Sequence, residues 1–319
     1  MKRQSHRYFT LTVMLALAPA LGWGQQDYRE TLFEEGRKLR LEISAEFSPR
    51  QRENLVTWIN FIAGALLEVY GHWPRQQWQI NVLPAAAAAA TDPIPWAQVH
   101  RGKIDRVEFF IAPHATLPAL QQDWTGYHEL AHLLIPYRGW GDTWFSEGLA
   151  SYYQNVLQGR AGILSEQQTW QNLYDGFLRG AADTQFDGQP LANVSDSMRE
   201  KGGFMRVYWS GAWYFLTSDA RLRQQSGGSA NLDQALAKLN QCCADERMSV
   251  QDMVNKLDEL NEVLLFAPLY EQARANPTMP AFDRVFASLG ITVADDKVTL
   301  QQEGPGAQLR RQIVQPKPL

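Results

Sequence analysis

The chain is 319 residues long, 45% hydrophobic and 20% charged, with a formal net charge of −4. That is an ordinary globular balance, and the lack of any dense basic stripe argues against nucleic acid as a partner. The only cysteines, Cys242 and Cys243, are too few for a disulfide framework and, being adjacent, make no zinc-finger pattern.

The opening "MKRQSHRYFTLTVMLALAPALGWGQQ" places Lys2, Arg3 and Arg7 before an apolar run from Tyr8 to Leu21, with small residues at Ala18, Ala20, Gly22 and Gly24. This layout predicts a signal peptide over residues 1–24, and hence a periplasmic or secreted protein. The run falls short of the ~20 residues a membrane span needs, and no later stretch is apolar enough to be one. About 295 residues then remain, enough for one large domain or two subdomains sharing a cleft. "RKLRLEISAEF" (37–47) alternates Leu39, Leu41, Ile43 and Ala45 and reads as a strand. Ser48 as N-cap, Pro49 at the first turn and Gly71 as stop bound a helix with Leu55, Trp58, Ile59, Ile62, Leu66 and Val69 on one face.

"QWQINVLP" (77–84) is a second strand, the alanine run after it a surface loop between prolines, and "IDRVEFFIAP" (104–113) a third strand. A helix is expected from Leu117 to Ile135, stopped by Pro136. From Thr143 to about Leu289 the chain reads as helical, with loops near 159–166, 180–202, 225–231 and 274–280. "ITVADDKVTLQQ" suggests a short closing strand pair, and "QPKPL" a loose tail. The expected class is α+β, with a small mixed sheet and helices over 25–136, a helical subdomain over 137–290 and a strand and tail over 291–319. Neighbouring Cα atoms lie ~3.8 Å apart, below the usual disulfide range, so Cys242 and Cys243 are expected to pack unbonded.

Within the helix before Pro136 stands "GYHELAHLL" (126–134). His128 and His132 are four apart, on one helical face, and can aim imidazole nitrogens at one zinc ion. Glu129 is turned ~100° aside, where it can take a proton from water at the metal. Two imidazoles in so apolar a helix would be costly to bury without a partner. The third ligand is expected from "GDTWFSEGLASYY" (141–153), where Asp142 or Thr143 caps a new helix and Glu147 lies in its first turns. Fourteen residues separate His132 from Glu147, room for one turn-back loop, and Gly148 lets the two backbones approach. Trp144, Phe145, Tyr152 and Tyr153 should pack this helix inward, leaving Glu147 buried and in need of a positive partner.

His-Glu-x-x-His followed by "WFSEGLASYY" resembles the gluzincin metallopeptidases. That resemblance implies a zincin-like (thermolysin-like) catalytic domain with Zn²⁺ on His128, His132 and Glu147, Glu129 as general base, a peptide or protein substrate, and no other cofactor. Residues 207–239, "SVQDMVNKLDEL" and "PAFDRVFASLGI" are similar to the glycyl-aminopeptidase family and, less closely, to aminopeptidase N-type enzymes, so the likeness runs from about Asp123 to Ile291. In those families a Tyr before x-x-Gly hydrogen-bonds the tetrahedral intermediate, which implies that role for Tyr208, three before Gly211.

The chain also departs from the pattern. The interval from His132 to Glu147 is shorter than in aminopeptidase N-type enzymes, and the family's large N-terminal β-domain has no counterpart. Where a Gly-rich strand carries a Glu that grips the substrate amine, the nearest segment is "WAQVHRG" (96–102), with Val99 in that place followed by His100 and Arg101. Ser151 is a candidate to orient a ligand histidine. The edge of "RVEFFIAP" is a candidate to pair with an extended peptide. Alternatives are a zinc hydrolase acting on a cell-wall or non-protein substrate, for which Trp96, Trp124, Trp140 and Trp144 suit several ligands, and a non-catalytic metal-stabilised binding module. Structural zinc sites normally close with four protein ligands, whereas three are offered here.

Overall fold

The computed structural model describes residues 26–86, 91–139 and 141–316. The predicted leader, part of the alanine run, Trp140 and the last residues of the tail lie outside them. Five strands form one mixed sheet: β1 (Tyr28–Glu34), β2 (Arg37–Ile43), β3 (Gln77–Pro84), β4 (Trp96–His100) and β5 (Asp105–Ile111), in the spatial order β1-β2-β3-β5-β4. The β2–β3 and β3–β5 pairs are parallel, and the outer pairs β1–β2 and β4–β5 are antiparallel. Alternation decides the faces. Leu39, Leu41, Ile43, Trp78, Ile80, Val82, Val107, Phe109 and Ile111 are buried on one side, while the intervening polar residues face outward.

Against the buried face lies α1 (Pro49–Tyr70), with all six of its predicted face residues buried. Its ends are those expected: the Ser48 side chain accepts from the Gln51 amide in a capping box, and Gly71 closes the helix in the left-handed region at φ 76°. Trp58 meets Phe109 edge-to-face at 5.0 Å between ring centres.

The expected helix from Leu117 to Ile135 is in fact three pieces: α2 (Leu117–Gln122), α3 (Trp124–Ala131) and a 3₁₀ turn over His132–Leu134. Asp123 makes the first break, because its carboxylate accepts from the Thr125 amide at 2.8 Å and so caps a new helix. The second follows from Ile135, held extended ahead of Pro136. The edge assignment for β5 is also corrected. β4 covers β5, so β4 is the free edge on that side of the sheet, and it packs beside α3.

The helical region consists of α4 (Thr143–Arg160), α5 (Glu166–Ala182), α6 (Leu191–Lys201), α7 (Phe204–Ser226), α8 (Leu232–Cys243), α9 (Val250–Asn261), α10 (Phe266–Ala275) and α11 (Asp283–Ser288). The hairpin β6 (Ile291–Ala294) and β7 (Lys297–Leu300) follows as expected, and α12 (Pro305–Val314) then packs on α4, α5 and α7. Helix α6, inside the expected 180–202 loop, and α12 were not anticipated. Buried arginines tie this half together. Arg160 bonds Asp233 at 2.9 Å, and Arg310 spans Glu166 and the carbonyls of Leu289, Gly290 and Gln301. Cys242 and Cys243 are bonded to each other, contrary to expectation, at a Cα separation of 3.7 Å. The usual separation range describes bridges between remote residues, and neighbours instead close a small ring at the end of α8.

Candidate metal centre

The site is assembled by a close crossing of α4 and α7. A Cβ added at Gly148 would lie 2.2 Å from the backbone of Gly211, and one at Gly211 would lie 2.2 Å from the Trp144 carbonyl. No other residue fits at either position: Gly148, expected to bring α4 up to the histidine helix, makes its close approach to Gly211 of α7 instead, and the contact brings Glu147 and Tyr208 together. Trp144, Phe145, Tyr152 and Tyr153 are all buried as expected, which fixes the rotation of α4. Asp142 occupies the N-cap position without capping through its side chain, since its carboxylate accepts from Trp144 Nε1 and the Tyr270 hydroxyl. The Trp144 amide is capped instead by Ser195 Oγ at 2.9 Å.

His128 and His132 are buried with their rings 4.9 Å apart and nearly perpendicular. His128 Nε2 lies 3.3 Å and His132 Nε2 3.7 Å from the same oxygen, Glu147 Oε2. The Nδ1 atoms point away and are held, His128 by Gln154 Oε1 at 2.8 Å and His132 by Ser146 Oγ at 2.9 Å. Acceptors at both Nδ1 atoms suit the tautomer in which each Nε2 can offer its lone pair to an ion held beside Glu147. Ser151, predicted to orient a ligand histidine, bonds neither ring; Ser146 and Gln154 do so, one residue before and seven after Glu147.

Zinc bonds of ~2.0–2.2 Å in a tetrahedron set ligand atoms roughly 3.3–3.6 Å apart, which is close to the spacing of these three atoms. Glu129 offers an oxygen within 4.8 Å of nitrogens of both histidines. Tyr208 stacks over His128 at 6.1 Å and turns its hydroxyl to Glu147. The residues therefore fit a divalent ion, with Glu129 and Tyr208 close by.

Electrostatics agree with the geometry. Burial pushes the Glu129 carboxyl up to about 7 and His132 down to about 3. Burial works against the charged forms of His128 and Glu147 too, yet it is outweighed, at His128 by Glu147 and then Glu129, which raise the imidazole, and at Glu147 by His132 and then His128, which lower the carboxyl. A pocket that holds two carboxylates against burial favours a positive charge between them.

Sequence reading missed Arg101, which donates to the His132 carbonyl and to Asp105 at 3.0 Å and so holds the end of the motif. Val99 and Ala97 are the β4 residues that pack toward the core, whereas Gln98 and His100 point the other way, to Glu108. Strand β4 thus presents no carboxylate on the side facing α3. Of the tryptophans, Trp144 is core, while Trp96 and Trp124 are half or more exposed. A cavity of about 470 Å³ opens on the His128 side, between α3, α4, α5 and α7.

Residues 140–212 match the family model described as M61 glycyl aminopeptidase, a stretch that includes Glu147, Gly148, Tyr208 and Gly211. That stretch is under a quarter of the chain, and over it the chain is similar to the glycyl aminopeptidases. Its fold is similar to that of an aminopeptidase N family protein from Idiomarina loihiensis, with 17% identity, a TM-score of 0.59, and coverage of 84% of this chain and 50% of that one. It is also similar to an M1 zinc metallopeptidase from Deinococcus radiodurans, with 16% identity, a TM-score of 0.51, and coverage of 80% and 53%. A mutant of that enzyme, bound to a Tyr-Ser-Ala substrate, matches with a TM-score of 0.51, 15% identity and the same coverage. The chain spans about half the length of those neighbours. No curated protein sequence matches it.

Proposed function

We propose that the protein is an exported zinc-dependent peptidase in which His128, His132 and Glu147 hold the metal, Glu129 is the general base and Tyr208 stabilises the oxyanion. The observation that carries this reading is the convergence of two locked imidazoles on one Glu147 oxygen, at 3.3 and 3.7 Å. Zinc held there supplies Lewis acidity, lowering the pKa of a water toward ~7 and polarising the scissile carbonyl.

The chain's own groups do the rest. Gln154 and Ser146 keep both imidazoles in the tautomer that offers Nε2. The Glu129 carboxylate takes the proton of the attacking water and passes it to the departing amine, work typically worth ~10²–10⁴ in rate. The Tyr208 hydroxyl donates to the oxygen that gains charge. Strand β4 is the free edge beside α3 on which an extended peptide can lie by main-chain pairing. With Val99 on its core-facing side, that strand offers no anionic grip for a free amine, which supports cleavage without a requirement for a free N-terminus.

Export is proposed from the basic and apolar opening of the sequence, and the bonded Cys242–Cys243 pair is in keeping with an oxidising compartment. The test is Glu129→Gln, assayed on a peptide mixture with free and blocked N-termini. Zinc content should be kept and hydrolysis should fall by at least ~10². Full turnover in that variant removes Glu129 as base, and cleavage of free N-termini alone overturns the reading of Val99.

A further inference from the structure

The cavity beside His128 is built for a ligand unlike an ordinary side chain. Its wall on α4 is the stripe Ser151, Gln154, Asn155 and Gln158, at helical spacing i, i+3, i+4 and i+7. Asn155 and Gln158 are each only 3% exposed. Asn155 Nδ2 donates to the Ser151 carbonyl and Gln158 Nε2 to the Gln122 carbonyl, both at 3.0 Å. A carbonyl partner fixes which end of each amide is nitrogen, so each amide oxygen keeps its capacity to accept. Four polar side chains along one cavity wall, two of them amides with uncommitted acceptors, suit a hydrogen-bonding occupant.

The opposite wall, on α5, carries both signs of charge. Asp175 and Arg179 lie one turn apart; the first accepts from Gln171 at 2.8 Å and the second stacks on the Trp209 ring at 5.0 Å. That ring is set in place by missing side chains, since a Cβ at Gly176 would lie 2.1 Å from it and one at Gly180 2.7 Å from its own Cβ. Trp124, 50% exposed, stands over His128.

An apolar side chain here would strand the two amide oxygens, and a singly charged one would meet a like charge from Asp175 or Arg179. The volume, about 470 Å³, lies in the ~300–1,000 Å³ range of sites that enclose whole small molecules. A pyranose satisfies each wall: hydroxyls donate to Asn155, Gln158 and Asp175 and accept from Arg179, while its C–H face lies on an indole. Because His128 and Tyr208 also line the cavity, its occupant sits next to the bond to be cut.

We propose that this cavity is a sugar subsite, so that the preferred substrate is a sugar-bearing peptide. The inference rests on the peptidase reading above. The sugar can be O-linked to Ser or Thr, or belong to a cell-wall muramyl peptide.

The test compares zinc-loaded protein on fluorogenic peptides of one sequence. One position carries N-acetylgalactosaminyl-Thr, plain Thr, Glu, Lys or Phe, and a muramyl peptide forms a separate arm. A sugar-bearing arm should exceed the plain, charged and apolar peptides in kcat/KM by at least ~tenfold, and whichever sugar arm is faster names the source. Asn155→Leu combined with Gln158→Leu should bring that ratio close to one while the protein keeps its zinc and its circular dichroism. Saturation-transfer NMR with methyl N-acetylgalactosaminide and with N-acetylmuramic acid reads the subsite without hydrolysis. Contacts that vanish in the double variant support the subsite even if no peptide is cut, an outcome that removes only the peptidase reading. Equal turnover of plain and sugar-bearing peptides, or NMR contacts unchanged in the double variant, overturns the proposal.

Discussion

Asp105 is a buried carboxylate and Glu147 a partly buried one, both close to the His132 segment, yet their surroundings are opposite in kind. Asp105 is met by three guanidiniums, Arg75 at 2.9 Å, Arg101 at 3.0 Å and Arg138 at 3.2 Å. The surplus donors end on the carbonyls of Ile135, Ala244, His132 and Gly102. That cluster is complete within the chain. Glu147 has two imidazoles and, nearby, a second carboxylate in Glu129, and among the described residues neither acid is ion-paired to a lysine or arginine. A charge cluster that the chain completes for itself holds the fold, whereas one left short of positive charge is set up to receive it from outside.

The sharpest way to break this contrast is to neutralise each acid in turn. Asp105→Asn leaves the buried Arg75 and the partly buried Arg101 and Arg138 without their counter-charge, and breaking a buried pair from one side typically costs ~3–5 kcal/mol. Urea unfolding should show that loss. Glu147→Gln should leave the stability of the zinc-free protein little changed, yet weaken zinc by more than the ~10–100-fold that loss of an outer hydrogen-bond partner costs. Competition with a chelator measures this. Should Asp105→Asn be neutral, the cluster is not what holds the motif's end.

The same cluster sets a dependence on acid. Burial works to raise the Asp105 carboxyl, but Arg101, Arg75 and Arg138 outweigh it and hold the group below its ordinary 3.8. A carboxyl with a depressed folded-state pKa contributes stability that is present above its unfolded value and lost as pH falls through the folded one. The stability difference between the wild type and Asp105→Asn should therefore be full at neutral pH and shrink below ~4. A difference that grows on acidification contradicts the assignment.

Arg101→Met should cost less than Asp105→Asn. It leaves two arginines against one carboxylate, closer to balance, and removes hydrogen bonds with charged partners, each worth ~1.5–3 kcal/mol. Equal losses in the two variants would mean that Arg101 alone carries the cluster.

Much of this contrast was legible in the sequence, and the reasons for the rest are physical. His128, His132 and Glu147 declared themselves because helical spacing and aromatic neighbours fix which way they face. Gly148 was readable as a close approach because it is a glycine within an aromatic helix, but its partner is α7 rather than the histidine helix, since only the fold decides which helix crosses there. Asp105 was not readable, since its partners come from positions 75, 101 and 138 and only the fold unites them. Strand β1 was missed because, as an edge strand, it buries only Leu32 and leaves Phe33 exposed. Helix α6 buries just four residues after a Gly- and Pro-containing loop, too few to show a period. Ser146 and Gln154 gave no signal, because ring orientation is not encoded in spacing along one helix.

That last pair yields the smallest and most discriminating prediction. Both hold an Nδ1 atom, so both variants should weaken zinc within the ~10–100-fold that such partners contribute. They should not do so equally. Ser146 is 3% exposed and meets His132 in the interior, so Ser146→Ala strands a buried ring donor that no solvent reaches. Gln154 lines the open cavity, and in Gln154→Ala a water from that cavity can take over the bond to His128. Zinc affinity measured against a chelator should therefore fall toward a hundredfold for Ser146→Ala and by about tenfold or less for Gln154→Ala. The reverse order would mean that the cavity stays dry at His128, and that Gln154 rather than water completes the metal's support on that side.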